Sequence, residues 1–232
     1  TWSVISNVIN KSPKVSIISN VHPDEFNSFF IQRVDEIVND LPQNNDALSY
    51  LNNLPKPNSK FKFRRLSVEE TFSAILKLNN SNSFDIYDIN AKILKLAASY
   101  ICEPLTYIFN CCLESGVFPD AFKVMKTVPV FKKGNRSQCE NYRPISLIPT
   151  VSKVFEMLLR DQVYTYFEEN SLFTKSQYGF RTSLSTIDAV TSFIEQCLKG
   201  LEMGKYVQSR LFDLTKAFDT VSHNILINKL KF

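Results

Sequence analysis

Between residues 23 and 41, apolar side chains recur every three or four positions, at Phe26, Phe29, Phe30, Val34, Ile37, Val38 and Leu41. That spacing places them on one face of a helix. Asp24 is positioned to cap its start, and Pro42 ends it. Residues 42–60 are rich in Asn and Pro and predict a linker. Ser67 and Glu70 then have the offset of a capping box, opening a helix with apolar positions Val68, Phe72, Ile75 and Leu76. After a polar loop over 79–88, helices are expected at about 89–100 and 104–115. Pro104 fits the first position of the second, and Gly116 fits its C-terminal cap.

The period then shortens. Residues 126–132 (KTVPVFK) alternate as a strand does, and 143–148 (RPISLI) predict a second. Pro129 and Pro144 each withhold a ladder donor, so both strands are expected at edges. The loop between them, KGNRSQCENY, makes this a basic, mobile hairpin. Helical spacing returns over 151–167, through Val151, Val154, Phe155, Leu158, Leu159 and Tyr166. It returns again over about 184–199, through Ile187, Val190, Phe193, Ile194, Cys197 and Leu198, with Gly200 as the expected stop. Residues 206–213 (YVQSRLFD) predict a strand and about 215–231 a last helix. No internal repeat is evident.

Composition bounds this α+β, helix-rich reading. The 232 residues are 44% apolar and 12% aromatic, which excludes disorder as the main state and leaves room for one large or two small domains. No run of about 18 uncharged apolar residues predicts a membrane span, and no basic stretch followed by an apolar one reads as a secretory signal. The chain starts at Thr1 rather than Met and stops at Phe232 inside a helical pattern, so a fragment is expected. The five cysteines form no C-x-x-C pair and lie far in sequence from His22 and His223. Reduced thiols in an intracellular protein are therefore expected, not a zinc site. Net charge is only +4, but residues 121–160 hold eight Lys and Arg against Glu140 and Glu156. Such a stretch suits a polyanion such as nucleic acid or triphosphate, and equally an ordinary solvated face.

The sharpest chemistry lies in FDLTKAFDTVSH. Asp213 ends the predicted strand, where a carboxylate is fixed yet open to solvent. That placement suits Mg²⁺, which takes one or two protein carboxylates plus phosphate and water oxygens. A helix cap is the other reading of a strand-end Asp.

Five strings occur in order: VPVFKKGN, NYRPISLIPTVSKVFE, QYGFR (177–181), STIDAV (185–190) and FDLTKAFDTVSHNIL. Together they resemble the reverse transcriptase of non-LTR (LINE-type) retrotransposons. The upstream LTYIFNCCLESGVFPDAFKVMKTVPVF is similar to that family's lead-in, and the resemblance is strong over about 84–232. TWSVISNVINK and PDEFNSFF are similar to the segment joining endonuclease to polymerase in such elements. The string set favours the LINE type over polymerases of mobile introns or retrons.

The resemblance implies a right-hand polymerase, of which the chain holds the fingers and the beginning of the palm, without a thumb. Residues 1–60 would be a helical extension and linker, 61–175 the fingers and 176–232 the start of the palm. It implies RNA-templated extension of a DNA primer with dNTPs and Mg²⁺, in a nuclear or cytoplasmic ribonucleoprotein, without a membrane and with an endonuclease segment upstream. By position, Asp213 matches the carboxylate that binds both metals, and Leu214 would offer a backbone carbonyl. Phe218 matches the aromatic residue that rejects a ribose 2′-hydroxyl, with a core aromatic as its plainer reading. Arg143 matches the fingers arginine that grips the triphosphate, a task suited to its planar fork. Lys132 and Lys133 match basic fingers residues that neutralise phosphate. Gln177, Gly179, Phe180 and Arg181 match a string near template and primer. Asp219 and His223, four apart on the expected last helix, read as structural.

Some features depart from the family. No Asp-Asp dipeptide occurs in the chain, so the later catalytic string is absent, and the isolated chain is expected to be inactive. Asp85-Ile86-Tyr87-Asp88 stands where an Asp-Gly turn is usual. Gln208 and Arg210 sit on the strand face opposite Asp213, expected to be buried at a cost of several kcal/mol if unpaired. A decayed copy, or a partner supplied by a missing part, would explain them. A non-catalytic nucleic-acid-binding module and an unstable remnant are the competing readings.

Overall fold

A computed structural model describes residues 21–40, 60–214 and 216–231. The expected linker and the string TWSVISNVINK lie outside or almost wholly outside them. Its elements are α1 (Pro23–Asp40), α2 (Val68–Lys77), α3 (Ala91–Ser115), the short α4 (Asp120–Lys123), β1 (Lys126–Phe131), a 3₁₀ turn (Cys139–Asn141), β2 (Tyr142–Leu147), α5 (Thr150–Glu169), α6 (Thr186–Glu202) and α7 (His223–Lys231). The architecture is mixed and helix-rich, with one two-stranded sheet among the described residues. The described residues divide into two compact units, one of 21–40 with 127–146, the other of 60–126 with 147–214 and 216–231.

In the first unit α1 opens at Pro23, whose missing N–H costs nothing at a first helical position. The cap is His22 rather than Asp24: its Nδ1 accepts from the Asp24 N–H at 3.3 Å. Asp24 instead lies in the first turn, where the helix dipole favours an acid. Buried Phe26 meets Tyr142 edge-on, with centroids 4.8 Å apart, and Tyr142 also contacts Phe131 at 5.4 Å. In this sheet of two described strands both β1 and β2 are edges, as their prolines require.

The second unit has a core made by α2, α3 and α5. Ile75, Ala98, Phe109, Val154 and Phe155 are almost fully buried. Phe109 stacks on Phe155 with centroids 4.7 Å apart, and Phe118 stacks on the same ring at 5.7 Å. The Ser67–Glu70 capping box forms as expected. Leu76, assigned to the apolar face of α2, is half exposed, while Thr71 and Ala74 are buried in its stead. Thr71 can be buried because its hydroxyl bonds the Ser67 carbonyl and the Thr106 hydroxyl.

The two helices expected over 89–115 are one helix of 25 residues with Pro104 inside it. A proline there forfeits a hydrogen bond and crowds the carbonyl four residues back, about 3 kcal/mol. The buried stripe Ala91, Leu94, Ala98, Cys102, Thr106, Phe109, Asn110 runs unbroken across it, while Pro104 faces outward. Burial of that stripe, at about 1.5–3 kcal/mol for each large apolar side chain, outweighs the proline. By length and composition α3 could also span a bilayer; here its stripe packs on α2 and α5.

Two side-chain amides hold the extended segment before α2. Asn110 accepts from the Leu66 N–H at 2.7 Å and donates to its carbonyl at 3.0 Å. Gln162 does the same for Arg64, at 2.9 and 3.2 Å. Asp85 ties the loop before α3 to the start of α5. One carboxylate oxygen accepts from the Tyr87 and Ile89 N–H groups at 2.9 and 3.0 Å, the other from Thr150 at 2.6 Å. Burial alone would raise the Asp85 carboxyl, but the bonds from Thr150, Ile89 and Tyr87 outweigh it and hold it below the usual carboxylate range. Asp88, in the Asp85–Asp88 turn that carries no glycine, has φ +55°. Asp is one of the few side chains that tolerate this left-handed conformation.

Three expectations in the C-terminal region are corrected. α6 passes Gly200 and ends at Glu202, because Gly204, at φ +68°, takes the left-handed position while Lys205 N–H closes onto the Gly200 carbonyl at 3.0 Å. Gly200 is needed for a close approach: a Cβ there would lie 2.7 Å from a Val207 methyl. Residues 206–213 form no strand, since no described segment pairs with them, and a lone strand leaves its peptide groups to water. Gln208 and Arg210 are exposed, so the expected burial cost does not arise. The last helix begins only at His223, after a turn in which the Asp219 and Thr220 N–H groups bond the Lys216 carbonyl. Asp219 is therefore not on the same helix as His223.

Candidate nucleotide and nucleic-acid site

The first unit presents its cations on the hairpin. Lys132 and Lys133 directly follow β1, and Arg143 is the second residue of β2; all three are exposed. The Lys132 N–H donates to the Asn141 carbonyl at 2.8 Å, closing the hairpin beside the two lysines. The loop expected to be mobile is braced. Asn141 donates to the Asn135 carbonyl at 2.9 Å, and the Tyr142 hydroxyl donates to the Arg136 carbonyl at 2.8 Å. Gly134 has φ +92°, and a Cβ there would meet the Asn141 amide at 2.7 Å, so glycine is required twice over. The Arg136 guanidinium lies 4.4 Å from the centre of the Phe131 ring. Within this unit no carboxylate pairs with Lys132, Lys133, Arg136 or Arg143 among the described residues. Four cations without a carboxylate partner give this hairpin a positively charged surface.

The second unit holds the remaining predicted residues. Arg181 is fixed by Glu168: Nη2 donates to Oε2 at 2.8 Å and Nε to Oε1 at 3.2 Å. The Tyr164 hydroxyl donates to Glu168 Oε1 at 2.7 Å and accepts from the Thr182 N–H at 2.7 Å. The hydrogen bond from Arg181, then that from Tyr164, holds the Glu168 carboxyl below its usual range, and Arg181 is raised in turn. The guanidinium also sits 5.2 Å from the Phe173 ring. Gln177 is half-buried, with its Nε2 3.4 Å from the Gly179 carbonyl. Phe180 has φ +61° and meets Phe218 edge-on, centroids 5.8 Å apart at 84°. The structure thus brings Phe180 and Phe218 together across 38 positions of sequence.

Asp213 and Leu214 are exposed, at the end of the unpaired 205–214 segment. No group of three or more His, Cys, Asp and Glu gathers among the described residues. Asp213 is one carboxylate, so these residues do not by themselves complete a divalent-ion centre. A cleft of about 680 Å³, lined by residues including Arg64, Glu70, Lys77 and Gln162, contains none of the predicted site residues. Sequence reasoning missed Glu168 and Tyr164, the partners that immobilise Arg181. Their i, i+4 offset on a helix was the available signal.

Residues 130–232 match the family described as reverse transcriptase (RNA-dependent DNA polymerase). The RNA-directed DNA polymerase from mobile element jockey of Drosophila melanogaster is 28% identical over 167 residues, 72% of this chain and 18% of that protein. The same organism's "Probable RNA-directed DNA polymerase from transposon BS" is 30% identical over the same shares of the two chains. Its counterpart from transposon X-element is 32% identical over 128 residues, 55% of this chain and 14% of that protein. The chain therefore spans less than a fifth of the length of the curated relatives it matches. Members of this family generally use divalent metal ions. The matched region takes in NYRPISLIPTVSKVFE, QYGFR, STIDAV and FDLTKAFDTVSHNIL whole and VPVFKKGN from Val130 on, and these likenesses support a partial LINE-type reverse transcriptase domain.

Proposed function

We propose that this chain is the fingers and first palm portion of an RNA-directed DNA polymerase, which extends a DNA primer on an RNA template with dNTPs. The observation that carries the reading is the ordered string set, of which all but Val128 and Pro129 fall inside one family match over 130–232. Residues 61–175 then serve as fingers, 176–232 as the start of the palm, and 1–60 as the extension joining it to an upstream endonuclease. Arg143, Lys132 and Lys133 hold the incoming triphosphate. Gln177, Gly179, Phe180 and Arg181 lie along template and primer. Phe218 excludes the ribose 2′-hydroxyl. Asp213 and the Leu214 carbonyl are ligands for Mg²⁺, which needs further carboxylates of the kind an Asp-Asp dipeptide would supply, and no such dipeptide occurs in this sequence. The working site is intracellular, in a nuclear or cytoplasmic ribonucleoprotein.

The test joins this chain in frame to the C-terminal part of the jockey polymerase and measures primer extension on RNA. Extension that is lost in Asp213→Asn supports the reading, and extension unchanged by Asp213→Asn overturns it. The 232-residue chain alone should extend no primer, because one carboxylate does not make a two-metal centre. The non-catalytic alternative draws on the unneutralised hairpin cations. It predicts binding of RNA–DNA duplex that weakens steeply with salt, together with no extension by the joined enzyme.

A further inference from the structure

We infer that Phe180 is a positioning residue for Phe218, so that discrimination between deoxyribose and ribose depends on a ring outside the FDLTKAFD string. The inference rests on the proposed role of Phe218. Phe218 is 79% exposed and Phe180 85% exposed, so neither ring is placed by a surrounding core. The two rings meet in an edge-to-face contact at 5.8 Å and 84°. Aromatic pairs prefer that geometry to a face-to-face sandwich.

Phe180 is itself held in place. A phenylalanine at φ +61° is strained and persists only where its neighbours over-determine the backbone. On its C-terminal side, Arg181 is clamped on Glu168 and the Thr182 N–H on the Tyr164 hydroxyl. On its N-terminal side, the Gln177 N–H bonds the Thr174 carbonyl at 3.1 Å. Tyr164 and Glu168 both belong to α5, which is rooted in the core through Val154, Phe155 and Leu158. A continuous line of contacts thus runs from the core, through Glu168, Arg181 and Phe180, to the ring proposed to meet the incoming sugar. Arg181 in this scheme acts through Phe180 and need not touch nucleic acid.

Two measurements test the assignment. In the joined polymerase, the ratio of kcat/KM for rNTP to that for dNTP is compared among variants. Phe180→Leu should raise ribonucleotide use roughly two- to tenfold, the factor for losing one aromatic pair. Phe180→Tyr, which keeps the ring, should raise the ratio less than Phe180→Leu does, and Phe218→Ala should raise it further. A rise with Phe218→Ala but none with Phe180→Leu overturns the inference and leaves the sugar-gate reading standing. No rise with either variant removes that reading and the inference with it. The second measurement uses the 232-residue chain labelled with 4-fluorophenylalanine. Phe180→Leu and Arg181→Gln should both move the Phe218 fluorine resonance, and Arg181→Lys should move it less than Arg181→Gln. An unmoved resonance in Phe180→Leu overturns the contact whether or not the joined enzyme extends primers.

Discussion

Replacing Asp85 with Asn removes one charge and no bulk, and tests how the three-helix core is tied together. The native carboxylate accepts three backbone N–H groups, from Tyr87, Ile89 and Thr150. An amide has one oxygen and one NH₂ in the same space. With the oxygen toward Tyr87 and Ile89, the NH₂ faces the Thr150 N–H, donor against donor. Turned over, it faces the other two. At least one N–H at this buried position loses its acceptor, at about 1–3 kcal/mol. The start of α5 also loses a negative charge, worth roughly 0.3–1 kcal/mol. Asp85→Asn should therefore destabilise the chain by about 1–4 kcal/mol. Urea unfolding followed by circular dichroism should show a lower midpoint with an unchanged slope. Because the folded-state Asp85 pKa is depressed, its contribution is present above the unfolded value of about 3.9 and lost as pH falls through the folded value. The gap between the two proteins should thus narrow below about pH 4. A loss under about 0.5 kcal/mol at neutral pH, within the ordinary scatter of surface substitutions, would refute the bonding scheme.

Other substitutions probe separate parts of the argument. Asp88→Gly relieves a left-handed residue at no cost in packing, so urea unfolding should show an effect between neutral and about 1 kcal/mol stabilising. Asn110→Ala orphans both backbone groups of Leu66, and should cost about 2–4 kcal/mol in the same assay. Pro104→Ala should stabilise α3 by up to about 3 kcal/mol, read as a higher melting temperature. Gly200→Val should destabilise through a clash with Val207, whereas Gly179→Ala meets no atom within 4 Å and should leave the melting temperature nearly unchanged.

Much of the fold was legible where local signals and tertiary packing agree. The Ser67 capping box, the spacing of α5 and the prolines of the edge strands each state their structure locally. Pro104 misled because a local stop signal of about 3 kcal/mol competes with a buried stripe whose worth appears only once α2 and α5 are in place. Gly200 misled for a similar reason: the glycine that ends α6 is Gly204, and Gly200 answers a methyl group seven residues later. Residues 206–213 alternate as a strand should, but pattern alone makes no ladder. Of the candidate site, the order of the strings was fully readable in one dimension. The clamp on Arg181 was not, because Glu168 and Tyr164 stand 13 and 17 positions away, on a helix whose other face builds the core.

The amide brackets of Asn110 and Gln162 have a kinetic consequence. Each presents a donor and an acceptor at the spacing of a peptide unit, so each acts on the 60–66 segment as one residue of a neighbouring strand would. Asp or Glu would offer acceptors alone and repel the carbonyl, so no acid can replace them. The brackets close loops of 44 and 98 residues, and each requires its helix to be formed first. Docking of this segment should therefore be a late and separable event in folding. Hydrogen exchange at the Leu66 and Arg64 amides would report its local opening, distinct from the global unfolding that exposes the amides of α3 and α5.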